Sequence, residues 1–198
     1  MWETLHEQLG TDPLRRRQGW DDYFAGRIRY PQWFELDIDL FRETGPVTKQ
    51  RLLDAIAALE LAPGTHETLG ALRDAGVRLA IVSGSLDIVL DKFELRPYFD
   101  DVFLNELYFD RAGALLACRA TPFDIEAKAA ALDWLCGKYD LELAETAFVG
   151  DNFNDLSIAR RAGRAIAFNS SCAELIACAK ANVPGDDLRA ILPHLLGP

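Results

Sequence analysis

The sequence has few residues of the kinds that bind transition metals or form disulfide bonds. Its four cysteines include no pair at the Cys-x-x-Cys spacing of zinc sites, and its three histidines are scattered along 198 residues. No apolar run approaches the roughly 18 residues of a membrane-spanning helix, and no positively charged leader precedes an apolar stretch. We therefore expect a soluble cytoplasmic protein with reduced, mostly buried thiols, no zinc site and no membrane contact.

Positive charge is also scarce. The chain has 21 Lys and Arg residues against 31 Asp and Glu residues, a formal net charge of -10, which argues against a nucleic-acid-binding surface. The local exception is a group of five arginines: Arg15, Arg16, Arg17, Arg27 and Arg29. They could attract an anion, but a solvated helix face explains them more simply. We expect no nucleic-acid partner.

Residues 1–62 show the periodicity of helices and contain no convincing strand. Their apolar residues recur every three or four positions, and Gly10 and Gly26 interrupt the pattern. Asp12 followed by Pro13 is typical of a helix N-cap and the first helical position. Packing of these helices against one another explains their apolar faces. We interpret residues 1–62 as a helical module.

From residue 63 onward, helical patterns alternate with short apolar strands. Strands are predicted at 77–82, 114–118, 146–149 and 165–168, with a further short strand within 101–109, and helices at 65–75, 86–93, 125–139, 156–162 and 188–196. Such alternation predicts an α/β fold, in which helices cover both faces of a mostly parallel sheet. We expect residues 63–198 to form this core.

The most informative stretch is the Gly-Asp-Asn-Phe-Asn-Asp segment at 150–155. It follows a predicted strand and opens a predicted helix, which is where α/β proteins place functional groups. Asp151 and Asp155 are near enough in sequence to repel each other, and a site that keeps both usually supplies a metal ion or a lysine. An Asx turn with a helix cap is the alternative explanation.

Two other segments are expected at the same edge of the sheet. Ser83 and Gly84 follow the predicted strand at 77–82, and Lys128 lies in the first turns of the predicted helix at 125–139. A hydroxyl, backbone amides, an ammonium group and carboxylate metal ligands together suit a phosphoryl group. Alone, the serine and glycine could form only a tight turn, and the lysine could be merely solvated. Because all of these groups occur together at successive strand ends, we favour a phosphoryl-binding site.

These segments resemble three motifs of the haloacid dehalogenase superfamily, on its phosphoserine phosphatase-like branch. Residues 82–84 resemble the second motif, Lys128 the third and residues 150–155 the fourth, and the resemblance extends over nearly the whole chain. It implies a Rossmann-like core with a helical cap inserted after the first strand, and residues 1–62 correspond to that cap.

The resemblance also implies roles for single residues. The phosphoryl-binding positions correspond to Ser83, Gly84 and Lys128, the Mg²⁺ ligand to Asp151, and the positions that support the metal and the lysine to Asn152, Asn154 and Asp155. Asn105 is similar to a further position that family members carry near this loop.

The first motif of the family, Asp-x-Asp-x-Thr/Val after an apolar strand, is not in this sequence. In the family it supplies the aspartyl nucleophile, a general acid/base and a metal ligand. The one Asp-x-Asp here, Asp37 and Asp39, lies in a helical pattern and is assigned to the cap. About four aliphatic residues in such a central strand would contribute ~6 to 12 kcal/mol, against a whole-domain stability of ~5 to 15 kcal/mol. We therefore expect the complete protein to have this strand upstream of the present chain.

The complete protein is expected to be a Mg²⁺-dependent phosphatase of small phosphorylated metabolites that acts through an aspartyl-phosphate. A phosphoserine-like substrate is favoured, with Glu3 and Arg27 as cap residues near it, although segment 35–40 is acidic where phosphoserine phosphatases have an arginine. This chain alone is expected to be inactive, since the nucleophile is missing. The alternative is a truncated or non-catalytic protein that binds an anion or a partner. A dehalogenase or phosphonatase is disfavoured by the acid-rich fourth motif, and the oligomeric state is not predicted.

The expected upstream strand can be tested by reading the DNA before the Met1 codon. We expect an in-frame apolar segment that ends in Asp-x-Asp-x-Thr/Val. A stop codon in frame before any such motif would contradict this expectation.

Overall fold

The computed structural model describes residues 1–123 and 127–197, and within them it contains ten α-helices and six β-strands. The helices are α1 (Trp2–Leu9), α2 (Pro13–Phe24), α3 (Tyr30–Glu43), α4 (Lys49–Ala55), α5 (Thr65–Asp74), α6 (Ile88–Lys92), α7 (Lys128–Tyr139), α8 (Leu156–Arg161), α9 (Ala173–Cys178) and α10 (Leu192–Leu196). The strands are β1 (Ala80–Leu86), β2 (Asp101–Phe109), β3 (Leu115–Arg119), β4 (Ala147–Gly150), β5 (Arg164–Phe168) and β6 (Ala181–Val183). The predicted start of the long helix, at residue 125, lies outside the described residues.

Local sequence signals set the ends of the N-terminal helices. The Asp12 side chain accepts a hydrogen bond from the backbone N–H of Leu14 at 2.8 Å, as expected for an N-cap before Pro13. Helix α1 ends at Gly10, whose φ of 69° lies in the left-handed region that glycine favours. The helical pattern of residues 1–62 is confirmed by α1 to α4.

Both acids of the Asp-x-Asp sequence lie in α3. Asp37 is buried, and its Oδ1 lies 3.1 Å from Nε2 of His6 on α1. Asp39 forms an exposed ion pair at 2.8 Å with Arg42, one helical turn further along. The assignment of this pair to a helix is confirmed: Asp37 joins α3 to α1, and Asp39 pairs within α3.

The six strands form two three-stranded sheets, with the orders β1-β2-β3 and β4-β5-β6. Strands β4, β5 and β6 are parallel, with Val149 opposite Ile166 and Ile166 opposite Ala181. Strands β2 and β3 form an antiparallel hairpin, as the turn at 110–113 predicts. Helices alternate with the strands, so the predicted α/β class with a Rossmann-like, mostly parallel core is confirmed.

Strand β1 differs from its prediction. The sequence predicts a strand at 77–82, whereas β1 begins at Ala80 and runs to Leu86. The backbone N–H of Asp87, just beyond the strand, donates to the carbonyl of Asn105 on β2 at 2.9 Å. Interaction with β2 therefore carries the strand through the Ser-Gly-Ser segment, and the alternative of a tight turn there does not hold.

One further boundary and two short elements differ notably from the predictions. Helix α6 begins at Ile88 instead of residue 86, because β1 extends further than predicted. Helix α9 and strand β6 are absent from the predictions. They have six and three residues, which is too short for the apolar periodicity that identifies longer elements.

The chain divides into two compact units. The first comprises Met1–Glu60, Gly84–Glu94 and Leu104–Thr121, and the second Leu61–Ser83, Leu95–Phe103 and Pro122–Pro198. The first has a core that includes Leu5, Phe34, Ile38, Phe41, Leu52 and Ile56. In the second, Ala165 and Ala167 of β5 pack with Leu175, while Ile166 packs with Val183 and Ile191, because alternate residues of a strand point to opposite faces. The division into a cap of residues 1–62 and a core of residues 63–198 stays a prediction.

No helix within the described residues is long and apolar enough to cross a bilayer. The cysteines, Cys118, Cys136, Cys172 and Cys178, are free thiols. Each is partly buried.

Candidate active site

The loop after β4 is organised by the carboxylate of Asp155. Its Oδ2 accepts hydrogen bonds from the backbone N–H groups of Asp151 at 3.0 Å and Asn152 at 3.2 Å. The Asn152 side chain in turn accepts from the N–H of Phe153 at 2.8 Å, which starts a short 3₁₀ turn before α8. Asn152 is therefore the N-cap of this turn, and Asp155 completes a capping box by accepting from the Asn152 N–H. The helix-cap part of the alternative explanation is thus present, and the Asp155 carboxylate also closes the loop onto the Asp151 N–H.

Lys128, at the start of α7, lies opposite the other oxygen of this carboxylate. Its Nζ donates to Asp155 Oδ1 at 2.7 Å, and each of the two residues is 5 % exposed. The alternative of a solvated lysine is thus wrong. Two buried charges are tolerated only when they are paired and further hydrogen-bonded, and Asp155 meets both conditions.

Gly150 leaves room for this carboxylate. A Cβ atom built on Gly150 would lie 2.5 Å from Asp155 Oδ2 and 2.6 Å from a ring carbon of Phe148. Any side chain at this position would therefore displace Asp155 or the strand. The glycine that ends β4 is required by packing, and this explains the Gly-Asp start of the segment at 150–155.

Asp151 differs from Asp155 in its environment, because it is exposed at the surface. Two effects raise the pKa of the Asp151 carboxyl group above its usual value: partial desolvation by neighbouring atoms, which is the larger, and the negative charge of Asp155. A hydrogen bond from its own backbone N–H and the positive charge of Lys128 lower this pKa, but by less. Because this pKa is higher in the folded than in the unfolded state, the protonated carboxyl group stabilises the fold at pH values below its unfolded-state pKa. That stabilisation is lost as the pH rises through the folded-state pKa. A cation beside Asp151 would relieve this cost.

The described residues fit a Mg²⁺ site only in part. Asp151 offers an exposed carboxylate of the hard oxygen type that Mg²⁺ prefers. However, among residues 1–123 and 127–197 no group of three or more His, Cys, Asp or Glu side chains could hold a metal ion. Asp155 is already bound by Lys128 and two amides, so this chain contributes at most part of a coordination sphere.

Gly84 and Ser83 lie next to each other in β1. The Gly84 carbonyl accepts hydrogen bonds from Asn105 Nδ2 at 2.7 Å and from Trp2 Nε1 at 2.8 Å. A Cβ on Gly84 would come within 2.8 Å of the Tyr30 hydroxyl, so the network requires glycine here. Asn105 is fully buried, which gives it a structural role that its sequence position alone does not reveal.

The predicted site residues therefore fall into two groups. Lys128, Asp151, Asn152 and Asp155 are brought together in the second unit, with Asn154 half-buried in the adjoining 3₁₀ turn. Ser83 is the last residue of one segment of that unit and is partly buried. Gly84, Glu3 and Arg27 belong to the first unit, where Glu3 is exposed on α1 and Arg27 pairs with Asp22 at 2.5 Å.

Sequence reasoning missed one residue that contacts the loop. The Ser170 hydroxyl donates to the backbone carbonyl of Asp151 at 2.6 Å. Ser170 follows β5, which is parallel to β4, so the rule that carboxyl ends of parallel strands share an edge could have identified it.

The contribution of the buried Lys128–Asp155 pair to stability can be compared with that of an exposed ion pair between α7 and α8. Lys128→Met leaves the Asp155 carboxylate buried without its counter-charge, and we expect it to lower the free energy of unfolding by about 3 to 5 kcal/mol. Arg161→Met removes the exposed Arg161–Asp133 pair between α8 and α7 and should cost less than about 1 kcal/mol. Urea denaturation followed by circular dichroism gives both values. Equal costs would show that the buried pair has no special role.

Comparisons with known proteins agree with this geometry. A family profile described as haloacid dehalogenase-like hydrolase matches residues 3–163. The phosphoserine phosphatase of Methanocaldococcus jannaschii is 28% identical over 172 residues, which cover 86% of this chain and 79% of that protein. That of Archaeoglobus fulgidus is 26% identical over 178 residues, covering 86% of this chain and 51% of that protein.

A solved structure also matches. A substrate-bound phosphoserine phosphatase complex superposes with a TM-score of 0.74 and 24% identity over 98% of this chain and 90% of that chain, and this likeness supports the fold. The family profile over residues 3–163 identifies the chain as a member of the haloacid dehalogenase-like hydrolases.

Proposed function

We propose that this chain has the function of a phosphatase that hydrolyses small phosphorylated metabolites, with a phosphoserine-like compound as the favoured substrate. The observation that carries the proposal is the loop after β4, in which a buried lysine and two backbone amides fix one carboxylate and leave the neighbouring Asp151 exposed. Family membership and the names of the relatives support a phosphoryl substrate.

In this proposal each residue has a separate task. Lys128 places positive charge at the edge of the parallel sheet, where it offsets the charge of a phosphoryl group, and Asp155 holds that lysine in position. Ser83 and the backbone at Gly84 donate hydrogen bonds to the phosphoryl oxygens. Asn152 caps the turn that follows Asp151, and Asn154, in that turn, would support the metal and the lysine.

The proposed cofactor is Mg²⁺, with Asp151 as one ligand. When bound, the ion would neutralise charge on the phosphoryl oxygens. The remaining ligands and the aspartyl nucleophile would come from an Asp-x-Asp-x-Thr/Val strand, a motif that this sequence does not contain. Attack by that aspartate on phosphorus would form an aspartyl-phosphate as the P–O bond to the substrate alcohol breaks and the alcohol leaves. Water would then hydrolyse the aspartyl-phosphate, which releases phosphate and regenerates the carboxylate.

Substrate choice and location are further parts of the proposal. Glu3 is exposed on α1 and could meet a substrate ammonium group, while Arg27 would have to leave Asp22 to bind a carboxylate. Segment 35–40 of α3 is acidic, so phosphomonoesters without a carboxylate are the closest competing substrates. We propose a cytoplasmic location, in keeping with the four free thiols, and no nucleic-acid partner, on the basis of the net charge of -10.

A second candidate is a non-catalytic protein that binds an anion or a partner. It is favoured by one observation: the only Asp-x-Asp of the sequence lies in α3, where its acids contact His6 and Arg42. On this view Lys128 and Asp155 serve folding and anion binding alone.

An assay with p-nitrophenyl phosphate and Mg²⁺ tests the proposal. We expect the 198-residue chain to show no turnover above that of its Asp151→Asn variant, because the motif that would supply the aspartyl nucleophile is not in this sequence. Robust turnover that Asp151→Asn abolishes would contradict the claim that the nucleophile is missing.

The same assay on an extended chain separates the two candidates. An apolar strand ending in Asp-x-Asp-x-Thr, added before Met1, should give Mg²⁺-dependent turnover, whereas a matched strand with Asn in place of the first Asp should give none. A folded extended chain without turnover would contradict the phosphatase and favour the non-catalytic protein.

A further inference from the structure

Ser170 lies in the loop that follows β5, next to the loop that follows β4. The two strands are parallel and in register, with Gly150 opposite Ala167, so their loops emerge side by side. Asn169 adopts a left-handed φ of 48°, and its N–H donates to the Val183 carbonyl of β6 at 2.9 Å. These constraints turn the chain sharply just before Ser170.

The Ser170 hydroxyl makes two hydrogen bonds. It donates to the backbone carbonyl of Asp151 at 2.6 Å and accepts from the backbone N–H of Cys172 at 3.1 Å. A hydroxyl has a single proton to donate, and here that proton goes to the Asp151 carbonyl. Because Cys172 precedes α9, the second bond anchors the hydroxyl to a packed helix of the same unit.

Asp151 is consequently held on both sides of its Cα atom. Its N–H donates to Asp155 Oδ2 at 3.0 Å, and its carbonyl accepts from Ser170. With both peptide groups held, the direction of the Cα–Cβ bond is fixed, and only the side-chain rotation remains free. The hydrogen bond from the Asp151 N–H goes to the carboxylate that also binds Lys128. The hydrogen bond to the Asp151 carbonyl comes from the loop after a different strand, β5.

We propose that Ser170 is a positioning residue that sets the direction of the Asp151 carboxylate. The part of this inference that concerns a cation rests on the proposed function. The hydroxyl itself does not touch substrate or metal; it acts through the Asp151 backbone. A serine that only capped α9 would hold the Cys172 N–H and leave the Asp151 loop unchanged, and this difference can be measured.

Residue-resolved hydrogen exchange by NMR distinguishes the two roles. Ser170→Ala should accelerate exchange at the Asp151 and Asn152 amides about two- to tenfold, the effect of losing one hydrogen bond. Ser170→Thr keeps the hydroxyl and should restore the wild-type rates. Ser171→Ala, a substitution at the exposed neighbour, is the matched control and should change neither amide.

The two roles are distinguished by which amides change their exchange rates. Faster exchange at Asp151 and Asn152, with wild-type rates at the Ala165 and Ala167 amides of β5, supports the inference, since the fold as a whole is then unaffected. Changes confined to Cys172 and to Ile176, whose N–H donates to the Cys172 carbonyl at 3.0 Å, would overturn it in favour of a helix cap.

A Mg²⁺ titration of the same NMR samples tests the cation part. The Asp151 and Asn152 amide signals of the wild type should shift with Mg²⁺, the Asp151→Asn variant should not respond, and Ser170→Ala should need several-fold more Mg²⁺ than Ser170→Thr. Equal responses of the Ala and Thr variants would overturn the positioning role. No response in the wild type would instead contradict the proposed metal site and the cation part of the inference, whatever the exchange rates show.

Discussion

Two opposite charges, each 5 % exposed, meet at 2.7 Å where α7 begins and the loop after β4 ends. Removing an ammonium group and a carboxylate from water is costly, and the cost is offset only while both partners remain and their other hydrogen-bonding positions are filled. Asp155 fills them with the amides of Asp151 and Asn152. The shape of the loop is therefore a consequence of the buried pair, and Gly150 supplies the space that the carboxylate occupies.

The pair also separates the roles of two acids that are only four positions apart. Asp155 is neutralised by Lys128 and is buried, while Asp151 is exposed and has its pKa raised by desolvation and by the Asp155 charge. One carboxylate thus serves the structure, and the other is held where binding a cation would lower its free energy. The hydroxyl of Ser170 completes the support of Asp151 from the next strand of the same parallel sheet.

Sequence reasoning succeeded where the determining interactions are local. The caps at Asp12 and Gly10 and the helical setting of Asp37 follow from near neighbours in the chain, and so does the acidic turn after β4. It failed where contacts between residues distant in the sequence determine the structure. Interaction with β2 extends β1 through Ser83 and Gly84, and no local pattern reveals that Lys128 is buried or that Ser170 reaches the Asp151 carbonyl.

The most direct test of this account is a crystal structure of the chain soaked in Mn²⁺, with the ion located by its anomalous scattering. We expect the ion beside the Asp151 carboxylate, while Asp155 keeps its contacts with Lys128 and with the two loop amides. An ion bound to Asp155 with Lys128 displaced, or an Asp155 carboxylate turned away from the amides, would contradict the claim that the buried pair organises the site.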